Sequence, residues 1–352
     1  MTREHNEALV SLWASACSDE VPPQERVLQM ILGSRVAQVV YALATFSVAD
    51  HMATGPKTAY EIAKQESLDP DATFRLLRTA SSLGLLTYVG ESRFAATRLL
   101  GPLRAGVPGS LKNAALCSAG PGQWLPWGRL SAAIRTGEPQ ARPALGCELW
   151  DHYANSAEEA EAFSHTMAAS TDAIAKEVAR VIDTRGVGIA VDVGGSDGTL
   201  LKALLVENSD LRGIVFDLPH VIERTNFVLS ESLLNERIEL LPGNFFHSLP
   251  EADLFLLKYI LHDWNDKACI EILRNCRRAL QPRGRVIIVE LLLEETGKPG
   301  FAPLMDLAML VLFGGRERTF LEYEKLLVKA GFTVLRTIRT QNTFLVIEAA
   351  AS

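Results

Sequence analysis

The stretch VDVGGSDGT, from Val191 to Thr199, constrains the fold of this chain more than any other. It continues an apolar run from Ile189 that has the composition of a strand covered on both faces, and leucines at helical spacing follow it. A strand, a glycine-rich turn and a helix start offer backbone N–H groups and a positive helix end to a polar ligand. Glycines alone are weak evidence of a ligand, because loops contain glycine for conformational reasons as well.

A second strand ends in an acidic residue at the position where a nucleotide-binding fold needs one. The segment RGIVFDL, Arg212 to Leu218, is apolar, and Asp217 follows the glycines by about 20 residues. A carboxylate at this spacing accepts hydrogen bonds from both ribose hydroxyls of a bound nucleotide. The alternative is an N-cap of the helix that begins near Pro219. The spacing favours ribose binding.

The C-terminal half predicts a mainly parallel sheet. Three more strand segments alternate with a helix over Asp266–Leu280: Ile238–Phe246, Asp253–Trp264 and Arg285–Leu293. The last two segments, Phe332–Thr340 and Asn342–Ala349, are joined too closely for a crossover helix, so they must pair antiparallel. A parallel sheet closed by such a hairpin is typical of methyltransferases rather than dehydrogenases.

The N-terminal region has the outline of a winged helix. Short amphipathic helices from Thr58 precede two strands near Leu86–Val89 and Arg93–Ala95. Winged helices often bind DNA, but residues 1–110 carry ten basic and eleven acidic side chains, and the candidate recognition helix contains Asp69 and Asp71. A DNA reader needs a cationic surface. We therefore predict dimerisation and substrate enclosure, without nucleic acid binding.

The segment Val27–His51 is predicted to be a helix that is apolar on nearly all faces, and such a helix needs cover on all sides. A small domain cannot supply that cover, so we predict a homodimer formed through these helices. The most apolar part, Val36–Met52, is too short and too polar to span a bilayer, which predicts a helix buried against protein and no membrane partner.

Two further features predict a cytoplasmic protein. The start, MTREHNEALVSLW, is not a signal peptide. The five cysteines are scattered and form no CxxC pair, as expected for buried thiols in a reducing compartment rather than for disulfides or a zinc site.

The middle of the chain predicts a connector. Residues Gly101–Pro143 are rich in Gly, Pro and Ala, which suggests an irregular segment whose tryptophans either pack internally or line a substrate. Residues Cys147–Ile182 read as one long helical stretch. Phe163 and Met167 are four apart there and share a face, either as ordinary core or as a ligand wall.

Six motifs, in chain order, identify a family: VDVGGSDGT, FDLPHVIE, GNFF, LKYILHDW, VIIVELLL and GGRERT. Over nearly its whole length the chain resembles the S-adenosylmethionine-dependent O-methyltransferases of the caffeic acid and bacterial natural-product type. The resemblance implies an α/β fold: a Rossmann-like methyltransferase sheet with a C-terminal antiparallel hairpin, plus a mainly helical N-terminal winged-helix dimerisation domain. The expected divisions are residues 1–110 for dimerisation, a helical connector at 111–182 that lines the substrate pocket, and a catalytic domain at 183–352.

The resemblance also implies a cofactor site for S-adenosyl-L-methionine. Ser196 stands where the commoner motif has glycine, which makes the turn less permissive. In GNFF, an Asn and a Phe replace the Asp and Met that plant relatives carry beside adenine, and both can still contact the base. The implied cofactor residues are Gly194, Gly195 and Ser196 at the methionine moiety, Asp217 and Leu218 at the ribose, Asn244 and Phe245 at the adenine, and Lys258 near the polar tail.

By the same resemblance, His262 matches the catalytic base, and Glu290 and Glu317 match the carboxylates that flank it. From the residues alone, a histidine after an apolar strand is equally an N-cap or a surface residue. Glu317 has the alternative of pairing with a neighbouring arginine, whereas Glu290 lies inside an apolar strand, where a carboxylate is costly unless it is paired. No metal is implied. The expected acceptor-site residues are Phe163, Met167, Asp263, Trp264, Met305, Asp306, Met309 and Phe313.

The expected chemistry is methylation of an aromatic hydroxyl. A phenol has a pKa near 10 and an unperturbed histidine about 6.5, so complete proton transfer in water is uphill by about 5 kcal/mol. Two flanking carboxylates reduce that cost by stabilising the imidazolium. Two other functions compete: a family member that has drifted to N-methylation, decarboxylation or hydroxylation, and a winged-helix regulator that binds a ligand without turning it over.

Overall fold

The computed structural model describes residues 21–229, 235–294, 300–341 and 344–352. The predictions made from residues 1–20, including the one from the N-terminal MTREHNEALVSLW, lie outside the described residues. The described residues form two compact units: one contains those up to Trp124 together with Ser156–Thr166, and the other contains Leu125–Asn155 and Met167–Ser352. No disulfide joins the described cysteines, three of which are buried.

The first unit begins with a long apolar helix, α1, at Pro23–Thr45. The prediction of one helix through His51 is wrong, because Ser47 adopts a left-handed conformation (φ 48°) and the chain restarts as α2, Val48–His51. The first half of α1 is exposed rather than buried, with Met30 and Ile31 more than 60 % accessible. Among the described residues, α1 alone is long and apolar enough to cross a membrane. The core helix of a soluble protein and a signal sequence have the same length and composition.

The winged-helix outline is confirmed. The elements are β1 (Lys57–Thr58), α3 (Ala59–Glu66), α4 (Pro70–Ser82), β2 (Leu86–Gly90) and β3 (Arg93–Ala96). The strands pair antiparallel in the order β1-β3-β2. Thr58 and Glu61 form a capping box at the start of α3, and the Asp69 side chain accepts from the Ala72 N–H at the start of α4, so both helices begin where their capping residues stand.

The middle of the chain is helical, so the prediction of an irregular connector over Gly101–Pro143 is wrong. Gly137 and Gly146 instead end helices in left-handed conformations. The predicted single helix over Cys147–Ile182 is divided at Ser156. The helices are α5 (Lys112–Ala119), α6 (Pro121–Trp127), α7 (Leu130–Thr136), α8 (Ala141–Leu145), α9 (Leu149–Asn155) and α10 (Ala157–Val181).

The second unit contains a seven-stranded sheet in the order β6-β5-β4-β7-β8-β10-β9. The predicted topology is confirmed: β4 to β8 run parallel, and β10 pairs antiparallel with β8 and β9. The strands are β4 (Ile189–Val193), β5 (Arg212–Asp217), β6 (Ile238–Pro242), β7 (Ala252–Lys258), β8 (Leu280–Leu291), β9 (Phe332–Arg339) and β10 (Phe344–Ala351). The helices are α11 (Thr199–Glu207), α12 (Pro219–Leu229), α13 (Asp266–Ala279), α14 (Ala302–Phe313) and α15 (Phe320–Ala330).

Alternate residues of the central strands pack on opposite faces of the sheet. Val191 and Phe255 belong to one hydrophobic cluster, whereas Ala190 and Leu254 belong to the other. Since β4 lies between β5 and β7, the order of strands reverses beside it, and the crevice at such a switch point is where α/β sheets bind ligands. The carboxyl ends of these parallel strands carry the residues of the site.

Candidate active site

The turn after β4 is held by backbone geometry that only small residues permit. Gly194 and Gly198 have positive φ angles of 64° and 72°. A Cβ atom on Gly194 would lie 2.5 Å from the Ile260 side chain, and one on Gly195 would lie 2.7 Å from Asp192 Cγ. Ser196 is left-handed without being glycine, at φ 49°. Glycine therefore lets the turn pack closely against Ile260 and Asp192, and residues 194–197 remain partly exposed at the edge of the sheet.

Asp217 connects this turn to the end of β5. Its Oδ2 accepts a hydrogen bond from the Ser196 N–H at 2.9 Å, and its Oδ1 accepts from the Leu218 N–H at 2.7 Å. Neither bond goes to the second or third residue of α12, so the capping alternative is not observed. Burial raises the pKa of this carboxyl to about 6, against the opposing effect of the two N–H donors. Each oxygen retains a second lone pair, which suits a diol such as ribose.

Two aromatic residues lie near the glycine turn. The Phe245 ring comes within 4.0 Å of the Cβ position of Gly194, and it packs edge-on against Trp264 at a centroid distance of 6.0 Å. Trp264, which was expected at the acceptor, therefore contacts Phe245, the residue predicted to lie beside the adenine. The Asn244 side chain is engaged locally, since its Oδ1 accepts from the Phe246 N–H at 2.9 Å.

Lys258 ends β7 in a partly buried position. Its Nζ donates to Thr171 Oγ1 at 3.0 Å and lies 4.1 Å from the centroid of the Tyr259 ring. Burial lowers the pKa of this amine to about 8, although nearby Glu290 and Asp192 oppose the shift. A partly desolvated ammonium at this edge can bind an anionic ligand group.

His262 lies on a 3₁₀ turn, Leu261–Asp263, directly beyond the end of β7, and is 6 % exposed. Its Nδ1 is 2.8 Å from Glu317 Oε1 and 3.8 Å from Glu290 Oε2, so the two predicted carboxylates lie on the same side of the ring. When Nδ1–H donates to the Glu317 carboxylate, Nε2 keeps its lone pair and can accept a proton. Asp263 Oδ1 lies on that other side, 3.4 Å from Nε2.

The two glutamates are fully buried but have different supports. Glu290 Oε1 accepts from the N–H groups of Ile260 and Leu261 at 3.2 and 2.9 Å, so this carboxylate also holds the turn that carries His262. Burial raises the pKa of Glu290 to about 7 and that of Glu317 to about 8. The Oε2 atoms of both have no hydrogen-bond partner within the described part of the chain. Titratable groups with strongly shifted pKa values cluster at functional sites.

The loop that carries Glu317 is fastened to the His262 turn. A Cβ atom on Gly315 would lie 2.1 Å from the His262 carbonyl oxygen, which accepts from the Arg316 N–H at 2.8 Å. Arg318 is fully buried and donates to the carbonyls of Leu261 and Trp264 at 2.9 and 2.7 Å. Sequence reasoning missed Arg318, although the motif GGRERT places it one residue beyond Glu317.

The arginines beside Glu317 do not pair with it. Arg316 and Arg318 both donate to the Asp266 carboxylate, at 3.3 and 2.9 Å. Asp306, expected at the acceptor pocket, accepts from the Glu317 N–H at 2.9 Å instead. The alternative of a loop ion pair for Glu317 is therefore not observed, and its carboxylate is left to His262.

The group of His262, Glu290 and Glu317 meets the general requirement for a metal site, because their ligand-type atoms lie within 4.8 Å of one another. Ligands at about 2.0–2.2 Å from a tetrahedral ion are separated by about 3.3 Å or more. The Nδ1–Oε1 distance of 2.8 Å is shorter than that and is typical of a charge-assisted hydrogen bond. This distance is compatible with the prediction of a site without metal, which stays a prediction.

The expected acceptor-site residues lie in both compact units. Met305, Met309 and Phe313 lie on α14, whose end leads into the Glu317 loop through bonds from the N–H groups of Gly314 and Gly315 to the Met309 carbonyl. The Phe313 ring stacks on Trp150 at 5.0 Å, a contact that no sequence pattern indicated. Along α10, Met167 belongs to the same compact unit as α14, whereas Phe163 belongs to the other unit.

Comparison with known proteins gives consistent matches over the chain. A model of an O-methyltransferase domain matches residues 127–333, and a model of an O-methyltransferase dimerisation domain matches residues 28–99. A phenazine O-methyltransferase from Lysobacter antibioticus is 35 % identical over 94 % of this chain and 96 % of its own length. A mitomycin biosynthesis 6-O-methyltransferase from Streptomyces lavendulae is 32 % identical, over 90 % of each chain.

One solved structure adds ligands to the comparison. It is an O-methyltransferase from neocarzinostatin biosynthesis, NcsB1, in complex with S-adenosyl-L-homocysteine and 1,4-dihydroxy-2-naphthoic acid. It superposes on this chain with a TM-score of 0.80 and 30 % identity, covering 90 % of this chain and 96 % of that one.

Proposed function

This chain belongs to the S-adenosylmethionine-dependent O-methyltransferases, and from that premise we propose that it methylates a hydroxyl group of an aromatic small molecule of secondary metabolism, with His262 as the general base. Relatives named for phenazine, mitomycin and naphthoate acceptors support the acceptor class. The observation that carries the base assignment is the 2.8 Å contact between His262 Nδ1 and Glu317, which leaves Nε2 to accept a proton.

The cofactor fits the residues at the edge of the sheet. Asp217 holds two free acceptor positions for the ribose hydroxyls, the turn at Gly194–Ser196 exposes backbone, and Lys258 supplies a cation. Leu218, Asn244 and Phe245 complete the proposed cofactor site. When bound, S-adenosylmethionine supplies a methyl group on a sulfonium, whose carbon–sulfur bond breaks as the acceptor oxygen takes the methyl.

The chain's own residues prepare the oxygen for that displacement. His262 Nε2 takes the hydroxyl proton, so the oxygen gains the electron pair with which it attacks. Above about pH 8, where both carboxyls are ionised, the imidazolium that forms keeps its Nδ1–H bond to the Glu317 carboxylate, and the negative charges of Glu290 and Glu317 stabilise it. We propose that Met305, Met309 and Phe313 on α14 and Met167 on α10 border the acceptor. The role expected for Phe163, which lies in the other compact unit, stays a prediction.

Asp263 has a distinct place in this proposal. Its carboxyl lies on the Nε2 side of His262, and burial raises its pKa to about 7. No hydrogen bond to it occurs within the described part of the chain. We propose that Asp263 contacts the acceptor beside the hydroxyl that is methylated.

The assembly that we propose is a homodimer, and the dimerisation-domain match supports it. The exposed apolar side chains on α1 have the character of a surface that a second subunit covers. They are Val27, Leu28, Met30, Ile31, Leu32 and Val36. Light scattering should give twice the chain mass for the wild type and a smaller mass for Ile31→Asp; a monomeric wild type would contradict the proposal.

Four further statements stay predictions. They are the domain divisions at 1–110, 111–182 and 183–352, the cytoplasmic location, the lack of a nucleic acid partner and the lack of a membrane partner.

The function is tested by incubating the enzyme with methyl-labelled S-adenosylmethionine and a panel of hydroxylated phenazines, naphthoates and quinones. We expect label in an ether product, identified by mass spectrometry. Matched aromatic amines in the same panel test N-methylation. Label only in amines, or cofactor binding without transfer to any acceptor, would contradict the proposal.

A further inference from the structure

Tyr259, three residues before the proposed base His262, has an unfavourable backbone conformation. It follows the last residue of β7 and has a φ angle of 55°, which is uncommon for any residue but glycine and strained for a bulky one. Its N–H is bonded to the Val289 carbonyl of β8 at 3.2 Å, so the neighbouring strand holds it in place. Strain that the surrounding structure maintains is concentrated at functional sites.

The strained backbone directs the Tyr259 ring onto His262. The two rings are 4.7 Å apart between centroids and only 4° from parallel, a face-to-face stack. The Phe344 ring of β10 packs against the tyrosine ring at a centroid distance of 5.2 Å, and Lys258 Nζ lies 4.1 Å from the centroid of the same ring. Phe344 and Lys258 therefore hold the tyrosine ring in place, and the imidazole lies flat against it.

We propose that Tyr259 is a positioning residue for the methyl transfer, which holds the plane of the His262 ring and stabilises the imidazolium formed when Nε2 takes the acceptor's proton. The face of an aromatic ring attracts a cation more than a neutral group. The contact is therefore stronger after proton transfer than before it, and only such differential interactions raise the rate. This inference depends on the proposed role of His262 as the base.

The alternative is that Tyr259 only fills space beside the turn. The two roles differ in how they depend on the acceptor. Stabilising an imidazolium matters for an acceptor whose hydroxyl must lose its proton to the base. It matters little for an acceptor that is already ionised, such as a nitro-substituted phenol. A packing defect slows both acceptors alike.

The test compares wild type, Tyr259→Asn and Tyr259→Phe with two acceptors. One is a hydroxynaphthoate that is methylated in the panel above, and the other is the same compound with a nitro group ortho or para to its hydroxyl. Asn tolerates a positive φ angle and so keeps the backbone without the ring, whereas Phe keeps the ring without the hydroxyl. We expect Tyr259→Asn to lower kcat for the unsubstituted acceptor by about 3- to 30-fold, with a much smaller loss for the nitro-substituted one. Tyr259→Phe should restore most of the loss.

Equal losses for both acceptors, or no recovery with Phe, would overturn the proposal. Calorimetric affinity for S-adenosylhomocysteine shows whether each variant is folded, and Tyr259→Leu, which also removes the ring, replaces Tyr259→Asn if the latter does not bind. His262→Ala is measured alongside. If it stays active, the base assignment fails; if it is inactive and Tyr259→Asn shows no acceptor dependence, the stacking role alone fails.

Discussion

The two halves of the site, both at the carboxyl edge of one sheet, are constructed in different ways. The proposed cofactor half combines the backbone of a glycine turn after β4 with one side chain, the Asp217 carboxylate at the end of β5, and the bond from the Ser196 N–H to that carboxylate joins them. The base half uses side chains from three distant segments, His262, Glu290 and Glu317, buried together with charges that water does not solvate. Loss of one group should therefore weaken cofactor binding in the first half and slow methyl transfer in the second.

The largest effect is expected at the base itself. His262→Ala should lower kcat by about 10²- to 10⁴-fold, because general-base catalysis contributes about that much. The affinity for S-adenosylhomocysteine should change little, since no cofactor-half residue is altered. Stopped-flow or labelled-methyl assays give the rate, and calorimetry gives the affinity. A variant with wild-type turnover would contradict the assignment of His262 as the general base.

The next largest effect is a difference in kcat between variants of the two glutamates. Glu317→Gln removes the carboxylate bonded to Nδ1 and should lower kcat by about 10- to 100-fold, the worth of a charge-assisted hydrogen bond. Glu290→Gln is the matched control: its amide oxygen can still accept from Ile260 and Leu261, and the group is 3.8 Å from the ring. We expect a smaller loss there. The reverse order would show that Glu290, not Glu317, orients the imidazole.

A smaller effect, on binding, is expected in the cofactor half. Asp217→Asn should weaken cofactor affinity by about 5- to 30-fold, since one acceptor becomes a donor, with kcat at saturation largely kept. The pKa of Asp217 is raised to about 6, so the wild-type affinity should fall as the pH falls through that value and the carboxylate is protonated. The variant should lack this pH dependence. Calorimetry from pH 5 to pH 8 tests both statements, and parallel pH curves would count against them.

The smallest effect concerns Ser196. Its φ angle of 49° favours glycine, so Ser196→Gly should raise the free energy of unfolding by about 0.5–1 kcal/mol while leaving turnover nearly unchanged. Thermal or denaturant unfolding measures the change. Destabilisation would mean that the serine side chain, rather than the backbone, supports the turn.

The same contrast explains what the sequence predicts. Strand, turn and acid follow one another within about 30 residues, so the spacing of Gly194 and Asp217 reveals the cofactor half directly. The base half depends on contacts over 28 to 55 positions, from residue 262 to residues 290 and 317, and periodicity carries no information about them. Only the resemblance to a family linked the three residues.

The errors in the fold have local causes. The end of α1 was misplaced because Ser47, with an ordinary side chain, adopts a left-handed conformation. The sequence did not predict the helices between Gly101 and Pro143. A glycine that ends a helix, such as Gly137, cannot be distinguished by composition from a glycine in an irregular loop. Arg318 and Asp306 were missed or misassigned because their roles are hydrogen bonds to backbone groups distant in sequence.

The central claim is that Glu317 keeps the proton of the neutral imidazole on Nδ1, so that Nε2 is the basic atom. The most direct measurement is the ¹⁵N NMR spectrum of the His262 ring in enzyme saturated with S-adenosylhomocysteine, assigned by comparison with His262→Ala. At about pH 9, where the Glu317 carboxyl with its pKa of about 8 is ionised, we expect a protonated Nδ1 and an unprotonated Nε2 in the wild type. We expect a weaker preference in Glu317→Gln, because a neutral amide oxygen is a poorer acceptor than a carboxylate. A proton on Nε2 of the neutral ring in the wild type would contradict the central claim.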